Sequence, residues 1–521
     1  MSGRGEAAPG GGAGAARGEA APGGGAGAAR SGISPPPGYL GAEARIRSGP
    51  APELVAAGYA LELADAALLH RGFGLADLAH VLALKAAGVI PAADARALLT
   101  ALLDMLEDEP RIEDERYGDL ANVRERELER RIGSAAGWLN AGRPRREAGR
   151  IAFRIALRGR LLTLQLATLR LAGALVEQAD REQRTLMPDY TYLQAAQPTT
   201  AGHWLLSHAQ PVLRDAHRIA ADFEAANLSP AGAGGVNGSR FPLDRELLAR
   251  LLGFAAPIEH TRDAMWQTDN VTEAVWHAAT AATNASRFAE DVEIYGSDEF
   301  GLLAIGDELC RASALMPHKR NPYALPVIRG AAGTLVGRAT GVLATQRTPS
   351  GRTDNFLYAY GEACGAIELA ARTLDLAAAT AESLRFDRQA CVNALHRHTL
   401  SADLADLLSL ETGLDYRSAY RVVGRAAAAG ELTAASLQQA ANELLDDPPR
   451  IDPELVEHAL DPRAAIATRT VTGGAAPAPM AAMLHRARTE LEHARTGAET
   501  ARTAIAAAER SLVERAQVEA R

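Results

Sequence analysis

The stretch SALMPHKRNP, residues 313–322, gathers a hydroxyl (Ser313), an imidazole (His318), an ammonium (Lys319) and an amide (Asn321) on a segment stiffened by Pro317 and Pro322. A cation and an amide beside a hydroxyl can hold a developing oxyanion. The lysine is unusual by type. Lys85 and Lys319 are the only lysines, so 55 − 2 = 53 of the basic side chains are arginine. In such a chain, a lysine inside a compact polar loop points to a small, mobile ammonium that a planar guanidinium cannot replace. An ordinary surface loop bounded by prolines would account for one hydroxyl and one lysine, but not for four polar types packed this densely.

The loop resembles the signature of the fumarase/aspartase superfamily, GSSxMPxKxNP, whose members eliminate fumarate from succinyl adducts. Ser313 falls on that family's catalytic serine, Met316 and Pro317 on its MP, Lys319 on its lysine, and Asn321 with Pro322 on its NP. Ala312 and Ala314 depart from its glycine and second serine. SDEFGLLAIGDELCRASALMPHKRNP (297–322), TLMPDYTYLQAAQPTTAGHW (185–204), TLSADLADLLSLETGLDYRSAYRVVG (399–424) and TVTGGAAPAP (470–479) resemble the argininosuccinate lyase branch. With weaker matches the resemblance spans roughly residues 41–485.

What the resemblance implies is demanding chemistry. Removing a proton beside a carboxylate creates a doubly charged aci-carboxylate, which needs a well-placed base and fixed positive partners. Ser313 is then the base, activated when loop closure surrounds it with N–H donors and cations, and Lys319 and Asn321 are the oxyanion partners. Met316 and His318 on the same loop are expected to face substrate. In PDYTYLQAAQP (188–198), Thr191 and Gln194 match the family's carboxylate ligands. In LNAGRPRREAG (139–149), Arg143 and Arg145 fall on the arginines of the branch's TGRSRND, and Arg145 is the candidate for a bidentate carboxylate grip. Arg146 takes the place of an asparagine that contacts substrate, and His80 falls on a histidine of the N-terminal segment. AGAGGVNGS (231–239) resembles the family's Gly-rich turn; no strand precedes it, which disfavours a nucleotide-phosphate loop. The implied partners are a small dicarboxylate of N-succinyl type and further copies of the chain in a homotetramer with shared sites. No cofactor or metal is implied.

The departures are concentrated in one half of the site. The branch protonates its leaving nitrogen with the histidine of MPxYTHLQ, paired with a glutamate beyond NP; here those positions are Tyr192 and Pro326. Loss of both together points to altered leaving-group chemistry or to lost activity. Tyr192, with an unperturbed pKa near 10, is a weaker acid than histidine at neutral pH, and His203 in AGHW is the second candidate. Asp77 replaces a serine, Asp65 lies one position from the aspartate that grips the amino-acid end, and RTPSGRTDNFL (347–357) replaces a stretch reading approximately YNRDLQEDK. The expectation is a C–N lyase cleaving an N-succinyl-type adduct, argininosuccinate or a related compound, by anti β-elimination. The alternatives are a catalytically impaired structural homologue like the lens crystallins, a carboxymuconate-type cycloisomerase, and an adenylosuccinate-type lyase. The long match at 399–424 favours the first reading.

These segments need long helices to position them. Apolar residues make up 47% of the 521-residue chain and aromatics only 5%, so the core is expected to be Ala/Leu-rich, and no convincing alternating strands are read anywhere. The fold class is therefore all-α, with the three-domain architecture that the resemblance implies. Residues 1–40, with RGEAAPGGGAGAA repeated at 4–16 and 17–29, are expected to be a disordered Gly/Ala/Pro-rich tail. A helical N-terminal domain (41–135), a central long-helix bundle with the catalytic loop (136–385), a C-terminal helical domain (386–480) and a charged terminal helix (481–521) follow. A net charge of −9 argues against a nucleic-acid partner. Cys310, Cys364 and Cys391 are too few and too scattered for a disulfide framework or a zinc site. No apolar run approaches a membrane span and no hydrophobic signal core is present, so a cytoplasmic protein is expected.

Overall fold

Helical periodicity in the first part of the chain becomes α1 (Ala66–Ala86), α2 (Ala92–Glu107) and α3 (Leu120–Ile132). Pro91 is the N-cap of α2, just ahead of the first-turn position expected for it. Asp119 caps α3 by accepting from the Asn122 N–H. The computed structural model describes residues 45, 46, 48–110, 112, 114–347 and 354–521, so the expected tail at 1–40 lies outside the described residues. From Pro52 onward the chain is one compact unit.

Five long helices form the body: α4 (Arg145–Arg181), α5 (Ala201–Ala226), α6 (Asp269–Tyr295), α7 (Ala324–Thr345) and α8 (Tyr360–Ser383). Small side chains let them approach closely. Gly202, in the first turn of α5, lies so near the end of α4 that a Cβ there would sit 2.4 Å from the Ala179 carbonyl oxygen. The helices shuttle between two ends of the bundle. At one end Gln178 of α4 donates to the Glu382 carbonyl at 3.0 Å, and Trp204 of α5 packs its ring 5.3 Å from Tyr295 of α6. At the other, Phe153 of α4 stacks on Tyr360 of α8 at 4.1 Å, and Gln346 donates to the Thr268 carbonyl at 2.8 Å.

Buried arginines at helical spacing along α4 lock the second end. Arg154 donates to the carbonyls of Ala225 and Ala226, where α5 ends. Arg158 donates to those of Leu252 and Gly253, where the short helix Arg245–Leu251 ends. Each guanidinium meets the negative end of a helix dipole. Burial pulls both down to about 10, so they stay charged at neutral pH.

The chain class is all-α, yet one hairpin escaped the sequence pattern. β1 (Leu186–Thr191) pairs antiparallel with β2 (Gln194–Thr200). Pro188 faces Pro198 across the ladder, and a register shift between Pro188 and Tyr190 breaks the alternation by which a strand is recognised. A second, shorter pair, β3 (Arg311–Ala312) with β4 (Arg320–Asn321), forms the neck of the 313–319 loop.

A separate small core around Leu404, Leu408, Val422, Leu437 and Val456 is built by α9 (Ser401–Thr412), α10 (Tyr416–Ala428), α11 (Ala434–Leu444), α12 (Pro453–Ala459) and α13 (Pro462–Ala467). Finally α14 (Pro477–Glu519) runs back along the body, burying Leu512 and Ala516 beside α1 and α2. Its carboxylates Glu509 and Glu519 pair with Arg71 and Lys85 of α1. Among the described residues only α1 is long and apolar enough to cross a membrane, and 83% of its apolar window is buried inside the fold.

Between α5 and α6 lies a polar seam at heptad spacing. His208 pairs with Asp291 at 3.1 Å, Asp215 accepts from Asn284 at 2.7 Å, and Asp222 pairs with His277 at 2.8 Å. Such layers fix register between helices whose other contacts are alanines, aliphatic side chains and aromatics such as Trp204 and Phe288. The hydrogen bond to Asp222 holds the His277 imidazole above its ordinary value. A raised folded value stabilises the protein fully below the unfolded pKa, near 6.5, and that contribution fades as pH climbs through the folded value. Asp222→Asn should therefore lower the melting temperature more at pH 6 than at pH 9. An equal loss at both pH values would show that the pair carries no charge.

Candidate active site

The 313–319 loop is braced at its neck and open at its tip. The Asn321 side chain donates to the Arg311 carbonyl at 3.2 Å, Arg311 lies 4.8 Å over the Tyr323 ring, and Arg320 reaches Asp307 at 2.7 Å. Beyond the neck, Ala314, Leu315, Met316, Pro317, His318 and Lys319 are all exposed. Ser313 sits where neck meets tip, and its Oγ accepts from the backbone N–H groups of Leu315 and Met316 at 3.3 and 3.0 Å. Donors aimed at an oxygen favour its anionic form. Lys319 has no carboxylate partner among the described residues, so its ammonium is available to an anion.

Thr191, Tyr192, Leu193 and Gln194 form the tip of the β1–β2 hairpin. Thr191 pairs with Gln194, which leaves Tyr192 and Leu193 as a two-residue turn with φ of 54° and 57°. That conformation suits Asn-Gly; for Tyr-Leu it costs of the order of 1–2 kcal/mol per residue. Tyr192 is 98% exposed. A strained, projecting aromatic is an arrangement a stability-selected loop would avoid.

His203, at the base of the hairpin, has both ring nitrogens occupied. Nδ1 meets the Thr199 hydroxyl at 3.1 Å and Nε2 meets the Gly473 carbonyl at 3.0 Å. A carbonyl can only accept, so Nε2 carries the proton and Nδ1 accepts in the neutral ring. His203 therefore pins the hairpin base to the 470–474 turn, and its proton is already committed.

The arginine segment opens α4, at the other end of the bundle. Arg143 is buried and donates to Asp77 at 2.6 Å, and Arg124 donates to the same carboxylate at 2.9 Å. The aspartate that replaces the family's serine thus holds two buried guanidinium groups, one on each carboxylate oxygen. His80 is buried too, with Nε2 3.1 Å from the Ala141 carbonyl, and desolvation holds it well below its ordinary value. Expected as ligands, Arg143 and His80 face inward here, because their partners are Ala76 and Asp77 of α1 and the Ala141 carbonyl of the turn before α4. Arg145 is half-exposed beside Asp119 at 3.4 Å, and Arg146 is gripped by Glu62 at 3.0 Å and Asp119 at 3.3 Å. Of the three arginines, Arg145 is the one held most loosely. Asp65 accepts from the Gly361 N–H at 2.9 Å and so caps the start of α8.

No motif assigns a role to Glu147. It is wholly buried, and its two oxygens accept from the N–H groups of Gly232 and Gly234 at 2.6 and 2.8 Å. Burial raises its carboxyl despite those bonds. Gly234 has φ of 62°, and a Cβ there would lie 2.5 Å from the Gly238 carbonyl carbon. The Gly-rich turn is thereby clamped onto the first turn of α4. An acidic residue just after Pro144 at a helix start was the available signal.

One chain thus brings Ser313, Lys319, Asn321, Thr191, Tyr192 and Gln194 to one end of the bundle and Arg145 and Arg146 to the other. A lyase family profile matches residues 70–337, and an argininosuccinate lyase C-terminal profile matches residues 398–467. The argininosuccinate lyase of Methanoculleus marisnigri is 32% identical over 451 residues, covering 85% of this chain and 92% of its own length. The chain belongs to the argininosuccinate lyase branch of the fumarase/aspartase superfamily. That of Mycolicibacterium paratuberculosis is 34% identical, covering 78% of this chain and 87% of its own. Among solved structures, an EDDS lyase in complex with formate superposes with a TM-score of 0.80 at 24% identity, covering 91% of this chain and 96% of its own. This member of the branch is a carbon–nitrogen lyase that releases fumarate.

The Asp77 hub gives a direct test of the α4 end. Asp77→Ala should strand two buried guanidinium groups and cost about 3–5 kcal/mol in a denaturant titration. A loss below about 1 kcal/mol would mean that Arg124 and Arg143 find other partners or escape to water.

Proposed function

We propose that the protein cleaves an N-succinyl-type adduct by anti β-elimination, with Ser313 as the base. Ser313 Oγ takes the proton from the carbon beside the remote carboxylate. The electron pair forms the C=C bond of fumarate as the C–N bond breaks, and the amine nitrogen leaves with the bonding pair. Lys319, Asn321 and loop N–H groups hold the aci-carboxylate, while Thr191, Gln194 and Arg145 hold carboxylate oxygens. The observation that carries this reading is the pair of N–H groups already aimed at Ser313 Oγ, on a loop whose ammonium has no carboxylate partner among the described residues.

The reading requires more than one copy of the chain, because both ends of the bundle contribute, and the assembly proposed is a homotetramer. Exposed apolar side chains on α7, Val327 on one flank and Val336 with Leu343 on the other, supply apolar surface for such packing. A cytoplasmic enzyme acting on a small dicarboxylate fits this arrangement.

The amine half is where the protein diverges. Pro326 lies in the first turn of α7, where a proline fits but no carboxylate can polarise an acid, and Tyr192 stands in for the histidine. With little proton delivered to the leaving atom, rate should depend steeply on how readily that atom departs unprotonated. Fumarate release should be measured across a series of N-succinyl compounds of differing leaving-group pKa. The expected plot is steep, with argininosuccinate among the slow substrates and with Ser313→Ala abolishing release throughout. A flat plot, or a strong preference for argininosuccinate, would mean that another residue supplies the proton.

A further inference from the structure

A second cleft lies far along the chain from the loop, in the small C-terminal core. It encloses about 440 Å³, a volume suited to a small molecule. One wall is a single face of α9, presenting Asp403, Asp406, Leu407 and Leu410 at helical spacing. The other wall comes from α12 and α13, and Tyr416 stands at the mouth beside Tyr420, their ring centroids 6.5 Å apart.

Charge in the cleft is unbalanced. Asp403 is only 7% exposed, and Arg469 pairs with its Oδ1. Its Oδ2 is buried without a hydrogen-bond partner among the described residues. Asp406, half-exposed, is 4.0 Å from the same arginine. Two carboxylates therefore share one guanidinium, leaving one negative charge and one unsatisfied acceptor. A buried carboxylate oxygen without a donor is costly, and the natural remedy is a ligand that donates to it. The hydroxyls nearby cannot: Ser409 donates to the Leu414 carbonyl and Thr468 to that of Ala465. Apart from the His458 imidazole on α12, the upper walls are aliphatic and aromatic, suited to a methylene stem and to a cation over a ring.

We propose that this cleft binds a small organic cation, an ammonium or guanidinium on a short aliphatic stem. Its head replaces the missing donor at Asp403 and neutralises Asp406. Its stem lies along Leu407 and Leu410 toward Tyr416. No group of 313–321, 191–194 or 143–147 takes part, so the proposal stands independently of the lyase reading.

Agmatine, which carries no carboxylate, is the probe, titrated calorimetrically into the full chain with glutarate as the anionic control. Saturable agmatine binding is expected, weakened about tenfold or more by Asp403→Asn, as loss of a charged hydrogen bond implies. Because Asp403→Asn could perturb folding, Leu410→Trp serves as the second variant. Leu410 is 79% exposed, and a bulky ring there should close the mouth without touching the core. Full retention of binding in Leu410→Trp, equal binding of glutarate, or no saturable agmatine binding would each overturn the proposal.

Discussion

The length of one helix constrains everything else. α4 has 37 residues and, at 1.5 Å per residue, spans about 54 Å. Arg145 is its first residue, and the hairpin bearing Thr191 begins just after its last. No folding of a single chain brings these together without breaking α4, and buried side chains along its whole length prevent that. If they act on one substrate, they must come from different copies.

Rigidity is distributed unevenly between those ends. Where α4 begins, buried charges are satisfied one against another: Asp77 by two arginines, Glu147 by two glycine N–H groups, Arg154 and Arg158 by helix-terminal carbonyls. Removing any partner leaves a group that water cannot reach, so this end is held in place. Where α4 ends, the candidate residues occupy an open loop tip and a strained hairpin turn. The role proposed for Ser313 needs donors and cations around its oxygen, and an open loop leaves room for closure to bring them there.

Much of this was legible in the sequence because it is local. Alanine-rich periodicity marked the long helices, and SALMPHKRNP marked the loop through residue types alone. The hairpin was not legible, because Pro188, Pro198 and a bulge hide its alternation. Nor were the inward-facing roles of Arg143 and His80, which depend on Asp77 and Ala141, contacts made 61–66 residues away along the chain. The replacement of serine by Asp77 read as a lost ligand; in three dimensions it is the counter-charge that buried Arg124 and Arg143 require. Glu147 showed only as an acidic residue at a helix start, and its clamp on the Gly-rich turn was hidden for the same reason, since its partners lie 85 and 87 residues on.

The central claim is that one site draws on both ends of the bundle, and hence on different copies of the chain. Its most direct measurement mixes two variants that are each inactive, Ser313→Ala and Arg145→Ala, by joint unfolding and refolding. Fumarate release should return, to about a quarter of the wild-type rate if subunits assort at random in a symmetric assembly. A mixture as inactive as either variant alone would contradict the account, because it would place Ser313 and Arg145 in the same chain's site or remove one of them from the chemistry.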